Sequence, residues 1–380
     1  MTWQTLHNAW WRLATQSHPS SFSDALASRA LQAGSVAYRA VVALRNTAYD
    51  RGWTKQVRLP CRVVSVGNLT VGGTGKTACV ELVAKKLAAR GERVAILSRG
   101  YGGVRRDYWI RCEAGRLLVN GEDRANPHEL ADEPQLLASH LEGVPVLVGA
   151  RRDRTGRMAC AAFGADTVVL DDGFQHRQLA RDCDIVLVHV RTPFGGWAAL
   201  PRGPMREPLE SLARAHVVIV TKADEALETL GALGERLRSF NPDALFVTAA
   251  HQPTHLEDPM TGATHDLKRL EGRRVGLLSS IGDPAGFEAT VRRVQATILW
   301  HRTFPDHHPY QAADWAAVDE QVEASRPDAV ITTEKDWVRL QRWTADRGRW
   351  TVPLWVLGIA MKILSGEEAL DDRLARLRAR

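Results

Sequence analysis

The stretch VSVGNLTVGGTGKTACVEL, from Val64 to Leu82, decides how the rest of the chain is read. Val63 to Val66 read as a strand, Gly72 to Gly75 as a tight turn, and the residues after Lys76 as a helix. Glycines let the backbone of such a turn approach an anion without a Cβ clash. The N–H groups of the turn and of the following helix then point at phosphate oxygens. Lys76 adds a positive charge, and the Thr77 hydroxyl suits Mg²⁺. Gly72, Gly73, Thr74, Gly75, Lys76, Thr77 and Ala78 are therefore the candidate nucleotide-binding residues.

The common P-loop spacing, G-x-x-x-x-G-K-[ST], places a glycine where this chain has Thr70. V-G-G-T-G-K-T instead resembles the x-G-G-x-G-K-[ST] variant of nitrogenase-iron-protein-like and cell-division ATPases. Those proteins usually carry a second lysine where this chain has Val71. The cradle fits, and the second-lysine mechanism does not.

Outward from the loop, strand and helix patterns alternate. RVVSVGN, RVAILS, VPVLVG, DTVVLDD, DIVLVHV and HVVIVTK are short apolar runs separated by helical stretches. That alternation predicts an α/β fold, a P-loop NTPase-like domain with a mostly parallel sheet covered on both faces. DYWIRCE and GRLLVN break the pattern and predict a hairpin at about 107–120. LFVTAA, RVGLLSS, ILWHRTF, AVITTEK and VPLWVLG predict a smaller second α/β domain, with a single extended sheet as the alternative. The expected division is 1–58, an N-terminal amphipathic helical segment; 59–228, the nucleotide-binding domain; and 229–380, the second domain.

The N-terminal segment places Trp3, Leu6, Trp10 and Leu13 at helical spacing before Pro19. A second helix carries Leu26, Ala30, Ala33, Ala37, Val41 and Leu44 as an apolar stripe among Arg29, Arg39, Arg45 and Arg51. Either the stripe packs on the core, or it faces a membrane interface, where tryptophan and arginine are favoured.

Composition bounds the rest. The chain has 380 residues, 44% hydrophobic and 25% charged, as expected of a soluble globular protein. No apolar run reaches the roughly 20 residues of a membrane span, and no secretory signal opens the chain. Five cysteines without a C-x-x-C pair predict a reduced, cytosolic chain and argue against a zinc site. The net charge of +6 favours anionic partners. No nucleic-acid module signature is present, so no nucleic-acid partner is expected.

Several acidic groups follow strand ends. Asp171 and Asp172 in DDGFQH suit Mg²⁺, directly or through water. Asp132 and Glu133 in ADEP complement a helix N-terminus or serve a site. SRGYGG is either an ordinary loop or an anion-binding turn with Arg99. Arg202 and Arg206 in LPRGPMREP either sit in a rigid connector or hold an anionic substrate. FPDHHPY gathers Asp306, His307 and His308, where an imidazole supporting a carboxylate base suits removal of a hydroxyl proton. VTKAD, from Val220 to Asp224, matches weakly the guanine-reading motif of GTP-binding proteins.

Together these motifs resemble the tetraacyldisaccharide 4′-kinase family of the lipid A pathway. LRNTAYDRG, VSVGNLTVGGTGKT, LSRGYGG, ADEPQLLA, DDGFQH, LPRGPMREP, FPDHHPY and TTEKDWVRL occur in order across residues 44 to 340. The resemblance implies transfer of the γ-phosphoryl of ATP to the 4′-hydroxyl of tetraacyldisaccharide 1-phosphate, giving lipid IV-A. It implies Mg²⁺, an acylated disaccharide lipid substrate, an anionic membrane surface, and a peripheral place on the cytoplasmic face of the Gram-negative inner membrane. It also implies Asp132 and His307 as a dyad activating the hydroxyl, with Lys76 and Asp172 as further catalytic residues. Thr77, Asp171, Asp172 and Glu133 are its implied metal set. His307 is preferred to His308 within FPDHH. Ala131 stands where the family commonly has glycine before D-E-P. A membrane-associated P-loop ATPase or GTPase switch is the alternative reading.

Overall fold

The computed structural model describes Trp10 and residues 22–105, 107–123, 129–194, 198–306, 308–344 and 352–377. The expected first helix, His307 and the closing residues 378–380 lie outside the described residues. The chain forms two compact units, and neither is continuous in sequence. The first comprises Met1–Arg99, Val144–Ala250 and Lys362–Arg380; the second comprises Gly100–Gly143 and His251–Met361.

In the first unit, α1 (Phe22–Asp50) precedes β1 (Arg62–Asn68), α2 (Lys76–Ala88) and β2 (Val94–Ser98). β5 (Val146–Val148), α4 (Arg152–Phe163), β6 (Thr167–Asp171), β7 (Cys183–His189), β8 (Val217–Thr221) and α5 (Leu227–Phe240) follow. β9 (Leu245–Asp258) begins in this unit, and β14 (Leu354–Ser365) ends in it before α9 (Glu367–Ala375). The strands lie in the order β5-β2-β6-β1-β7-β8-β9, and every neighbouring pair is parallel. All of β2, β6, β7 and β8 is buried, which is why those strands read as unbroken apolar runs. β1 is the centre: the chain first winds to one side through β2 and β5, returns to β6, then crosses to β7. Ligands of such sheets bind outside the carboxyl ends of the strands at this reversal.

α1 is amphipathic with the polar face inward. Ser35, Val42 and Asn46 are buried. The Ser35 hydroxyl donates to the Ala199 carbonyl at 2.8 Å, and Tyr38 donates to the Arg206 carbonyl at 2.9 Å. The apolar stripe of Leu26, Ala30, Ala33, Ala37, Val41 and Leu44 is exposed among the described residues. Core packing, one of the two expectations for that stripe, is not what the described residues show.

The second unit holds the hairpin β3 (Tyr108–Glu113) and β4 (Arg116–Val119), then α3 (Asp132–His140), β10 (Ala263–His265), β11 (Arg274–Ser279), α6 (Pro284–Arg293), β12 (Thr297–Thr303), α7 (Ala312–Ser325), β13 (Ala329–Thr333) and α8 (Glu334–Thr344). β12-β11-β13-β14 are parallel neighbours. Side chains alternate between two cores. Val275, Leu277 and Ile331 face one with Phe287 and Val291; Leu278 and Val330 face the other with Trp315, Val318 and Leu340. The sequence boundary at 228/229 differs from this division, because Gly100–Gly143 groups with the later part of the chain. α3 explains the grouping. Asp132 bonds Arg339, Glu133 bonds Lys335 and His140 bonds Glu334, all on α8.

Candidate active site

β1 delivers the chain to the glycine loop at the sheet's carboxyl edge. Gly72 has φ 123° and Gly75 φ 84°, values that glycine alone adopts at little steric cost. Gly73 needs no such freedom, but nothing lies within 4 Å of where its Cβ would stand. Its missing side chain therefore leaves open space above the loop. Asn68 fixes the loop from below, donating to the Thr74 hydroxyl at 2.8 Å. Gly75 caps α2, so the first helical N–H groups belong to Lys76, Thr77 and Ala78. Thr77 is buried at that helix start.

LPRGPMREP runs beside this loop. The Val71 N–H donates to the Pro204 carbonyl at 2.8 Å, and the Arg206 N–H donates to the Leu69 carbonyl at 2.7 Å. The Arg206 side chain thereby reaches Asp172, with Nη1 to Oδ2 and Nη2 to Oδ1 both at 2.8 Å. Arg206 also donates to Asn68 Oδ1. Lys76 Nζ lies 3.7 Å from Asp172 Oδ1 and 3.4 Å from Asn68 Oδ1. Burial alone would raise the Asp172 carboxyl, but the Arg206 hydrogen bonds and the charges of Lys76, Arg206 and Arg152 outweigh it and hold it at about 2. Asp172 adopts φ 51°, a left-handed conformation at the tip of the β6 turn.

Asp171 points elsewhere. It is buried at the end of β6, opposite Val66 of β1, and accepts from the Ser98 hydroxyl at 3.0 Å. The two adjacent acids have different partners: Asp172 meets Arg206 and Lys76, and Asp171 meets the Ser98 hydroxyl. The turn after them is seated tightly on β1. A Cβ on Gly67 would stand 2.6 Å from Phe174 Cβ. Gln175 donates to the Asn68 carbonyl at 3.0 Å.

Behind the loop, Glu207 is fully buried and receives Arg45 at 2.9 Å, Asn46 at 3.0 Å and Arg214 at 2.7 Å. Arg177 donates to the Asn46 carbonyl and to Asp50. LRNTAYD and REP are thus joined through the buried Glu207 carboxylate.

The second unit carries the other expected acids. Asp132 opens α3 and accepts from Arg339 Nε at 2.6 Å; Glu133 meets Lys335 at 2.7 Å. Ala131 adopts φ −75° and ψ 143°, so an L side chain fits there without strain in place of glycine. Its N–H donates to the Tyr108 hydroxyl at 3.0 Å. His308 is held by Asp314 at 2.8 Å and stacks on Phe304 with ring centroids 4.7 Å apart. Lys222 of VTKAD lies 3.8 Å from Glu225.

The structure brings together Lys76, Asp172 and the glycine loop in the first unit, and places Asp132 and Glu133 on one helix of the second. Sequence reasoning missed Asn68 and Ser98 as partners of these groups, and gave no role to Arg339. N-L-T before the glycines and T-T-E-K-D-W-V-R carried the signals. No group of three or more His, Cys, Asp or Glu side chains gathers as a metal site among the described residues. An oxygen-coordinated Mg²⁺ on a nucleotide does not need one, since one or two carboxylates and a hydroxyl suffice.

Comparison with known proteins identifies the family. Residues 27–378 match the family model LpxK, tetraacyldisaccharide-1-P 4′-kinase. The tetraacyldisaccharide 4′-kinase of Anaeromyxobacter dehalogenans (strain 2CP-C) is 43% identical over 379 residues, covering 97% of this chain and 94% of that protein. The one from Syntrophus aciditrophicus is 39% identical over 341 residues, 88% of each chain. The crystal structure of "apo" form LpxK from Aquifex aeolicus in complex with ATP superposes with a TM-score of 0.70 at 28% identity, covering 92% of this chain and 99% of that one. The chain belongs to the tetraacyldisaccharide 4′-kinase family.

Proposed function

We propose that the glycine loop, the Asp171–Asp172 turn and the start of α3 divide the tasks of a phosphoryl transfer. The chain is an ATP-dependent tetraacyldisaccharide 4′-kinase of lipid A biosynthesis. The observation that carries the assignment of roles is the loop itself: a strand, two left-handed glycines and a helix start, with Lys76 3.7 Å from a cation-saturated Asp172.

Backbone N–H groups from Gly72 to Ala78 receive the polyphosphate, and Lys76 exchanges its place beside Asp172 for the phosphate oxygens. Asp172 keeps Lys76 and Arg206 poised without itself taking a proton. Thr77 and Asp171 would hold Mg²⁺, which when bound neutralises charge on the transferring group. Their oxygen donors and the buried position of Asp171 fit a hard cation. Asp172 spends both carboxylate oxygens on Arg206, and Glu133 bonds Lys335, so both suit support of the site better than direct ligation.

Asp132, with His307, takes the proton from the sugar 4′-hydroxyl. The hydroxyl oxygen forms the new bond to the γ-phosphorus, and the bond to the leaving ADP oxygen breaks. The product is lipid IV-A. A sugar hydroxyl has a high pKa, so a base helps as the bond forms.

The acceptor's acyl chains belong to a membrane. No described helix is long and apolar enough to cross one. The exposed apolar stripe of α1, with exposed Arg29, Arg39 and Arg51, supports peripheral docking on an anionic leaflet at the cytoplasmic face of the inner membrane.

The test is label transfer from γ-labelled ATP to tetraacyldisaccharide 1-phosphate in detergent micelles with Mg²⁺. The native chain labels the lipid. Lys76→Ala reduces the rate by roughly 100-fold or more, the usual effect of losing one preorganised charge donor. Hydrolysis of ATP without acceptor, and no labelled lipid, overturns the reading.

A further inference from the structure

A chain of buried polar groups ends on Asp132. Its root is Asp336, fully buried within α8. Thr333 and Asp336 cap the start of that helix reciprocally: the Asp336 N–H donates to the Thr333 hydroxyl at 3.1 Å, and that hydroxyl donates to Asp336 Oδ2 at 2.7 Å. The other carboxylate oxygen accepts the Ser280 N–H at 3.0 Å, the Ser280 hydroxyl at 2.6 Å and the Tyr310 hydroxyl at 3.0 Å. A buried carboxylate is tolerable only when satisfied in this way. One turn on, Arg339 has a side chain only 7% exposed. Its Nη1 donates to the Ser280 hydroxyl at 2.5 Å and the Ser280 carbonyl at 3.3 Å, and lies 3.5 Å from Asp336. Its Nε donates to Asp132 Oδ2 at 2.6 Å.

A planar guanidinium fixed along one edge by Ser280 and Asp336 leaves Nε with one direction in which to point. Asp132 sits at the start of α3, and Arg339 is its charged partner from α8. We propose that Arg339 is a positioning residue for the transfer: clamped by Ser280 and Asp336, it fixes the plane of the Asp132 carboxylate against the acceptor hydroxyl. Tyr310 connects the same root to the end of FPDHHPY, the segment that carries His307. The inference rests on Asp132 being the base proposed above.

Arg339→Ala removes the clamp while leaving Asp336 satisfied by Ser280, Thr333 and Tyr310. Misplacing a reacting group by about 1 Å costs ~100-fold, so kcat is expected to fall between ~10- and ~100-fold with KM for ATP within about twofold. Added guanidinium ion should restore part of kcat, and urea at the same concentration should not. Ser280→Ala, which loosens one end of the clamp and keeps all charges, should lower kcat in the same direction by a smaller factor. Asp132→Asn run in parallel separates the two ideas. If it retains native kcat, the base reading is wrong and the positioning role falls with it. If it is inactive while folded Arg339→Ala keeps kcat within twofold, or loses activity only in step with thermal stability and without guanidinium rescue, Arg339 does not position the base. Should Arg339→Ala fail to fold, an unchanged kcat in Ser280→Ala overturns the proposal by itself.

Discussion

Arg206 lays two parallel hydrogen bonds, each 2.8 Å, on the carboxylate of Asp172. This pair lies beside Lys76 and ties LPRGPMREP to the turn after β6. A lysine carries the charge but cannot match the two-pronged geometry. Arg206→Ala is therefore expected to lower kcat by ~100-fold, and Arg206→Lys to recover only part of that. Steady-state transfer assays at saturating ATP check it. Equal kcat in the lysine and native chains would show that charge alone suffices.

Glu207 follows one residue later and has a different task. It is fully buried with Arg45, Asn46 and Arg214 around it. Burial would raise its carboxyl, but the Arg214 charge and hydrogen bond, with Asn46 and Arg45, hold it below the usual range. Removing one partner of a buried ion pair costs about 3–5 kcal/mol, because the remaining charge is left desolvated. Glu207→Ala should lose stability of that order in urea unfolding. A loss under about 1 kcal/mol would mean that water replaces the carboxylate around Arg214.

The β6 turn also sets a pH limit. Burial, with the charges of Arg152, Arg181 and Arg99, pushes His176 down to about 4. Its Nε2 is buried without a hydrogen-bond partner, which suits a neutral ring. In the unfolded chain an ordinary histidine gains its proton near pH 6.5. Between pH 6.5 and 4 the unfolded state thus binds the proton and the folded state does not, so stability falls on acidification through that window. The contribution is restored above pH 6.5. His176→Asn should flatten the decline of Tm across that range. A native-like slope in the variant would assign the decline to other groups.

The strands of the first unit were legible because buried parallel strands leave unbroken β-branched runs. RVVSVGN and HVVIVTK map onto β1 and β8 almost residue for residue. β9 was not fully legible. LFVTAA is its start, but the strand runs to Asp258 through HQPTHLED, whose half-buried polar residues carry no apolar signal. The glycine loop announced itself because its chemistry is local. Arg206 on Asp172 and Arg339 on Asp132 did not, since 34 and 207 residues separate the partners and only folding brings them together. The grouping of Gly100–Gly143 with the later part of the chain was hidden for the same reason: α3 bonds to α8, far along the chain. For α1, periodicity showed two faces but not which one is wet, because Ser35, Tyr38 and Asn46 satisfy themselves on backbone and carboxylate partners that the sequence does not reveal.

That inversion of α1 carries the last prediction. Leu26 is 62% exposed, and Val41 and Leu44 are each 67% exposed, along one face of a helix whose polar face is anchored. Fully burying such a side chain yields about 1.5–3 kcal/mol, and an interface captures part of it. Each neighbouring arginine adds ~1 kcal/mol near anionic headgroups, an effect that salt screens. The triple variant Leu26→Ser, Val41→Ser, Leu44→Ser should bind phosphatidylglycerol-containing vesicles at least ~10-fold more weakly than the native chain. Its transfer rate to acceptor in detergent micelles should change little, because all three side chains are exposed. Arg29→Gln with Arg39→Gln should weaken vesicle binding at low salt and matter less at high salt. Unchanged sedimentation of the triple variant with vesicles would remove α1 from the membrane contact and leave its apolar stripe without a role.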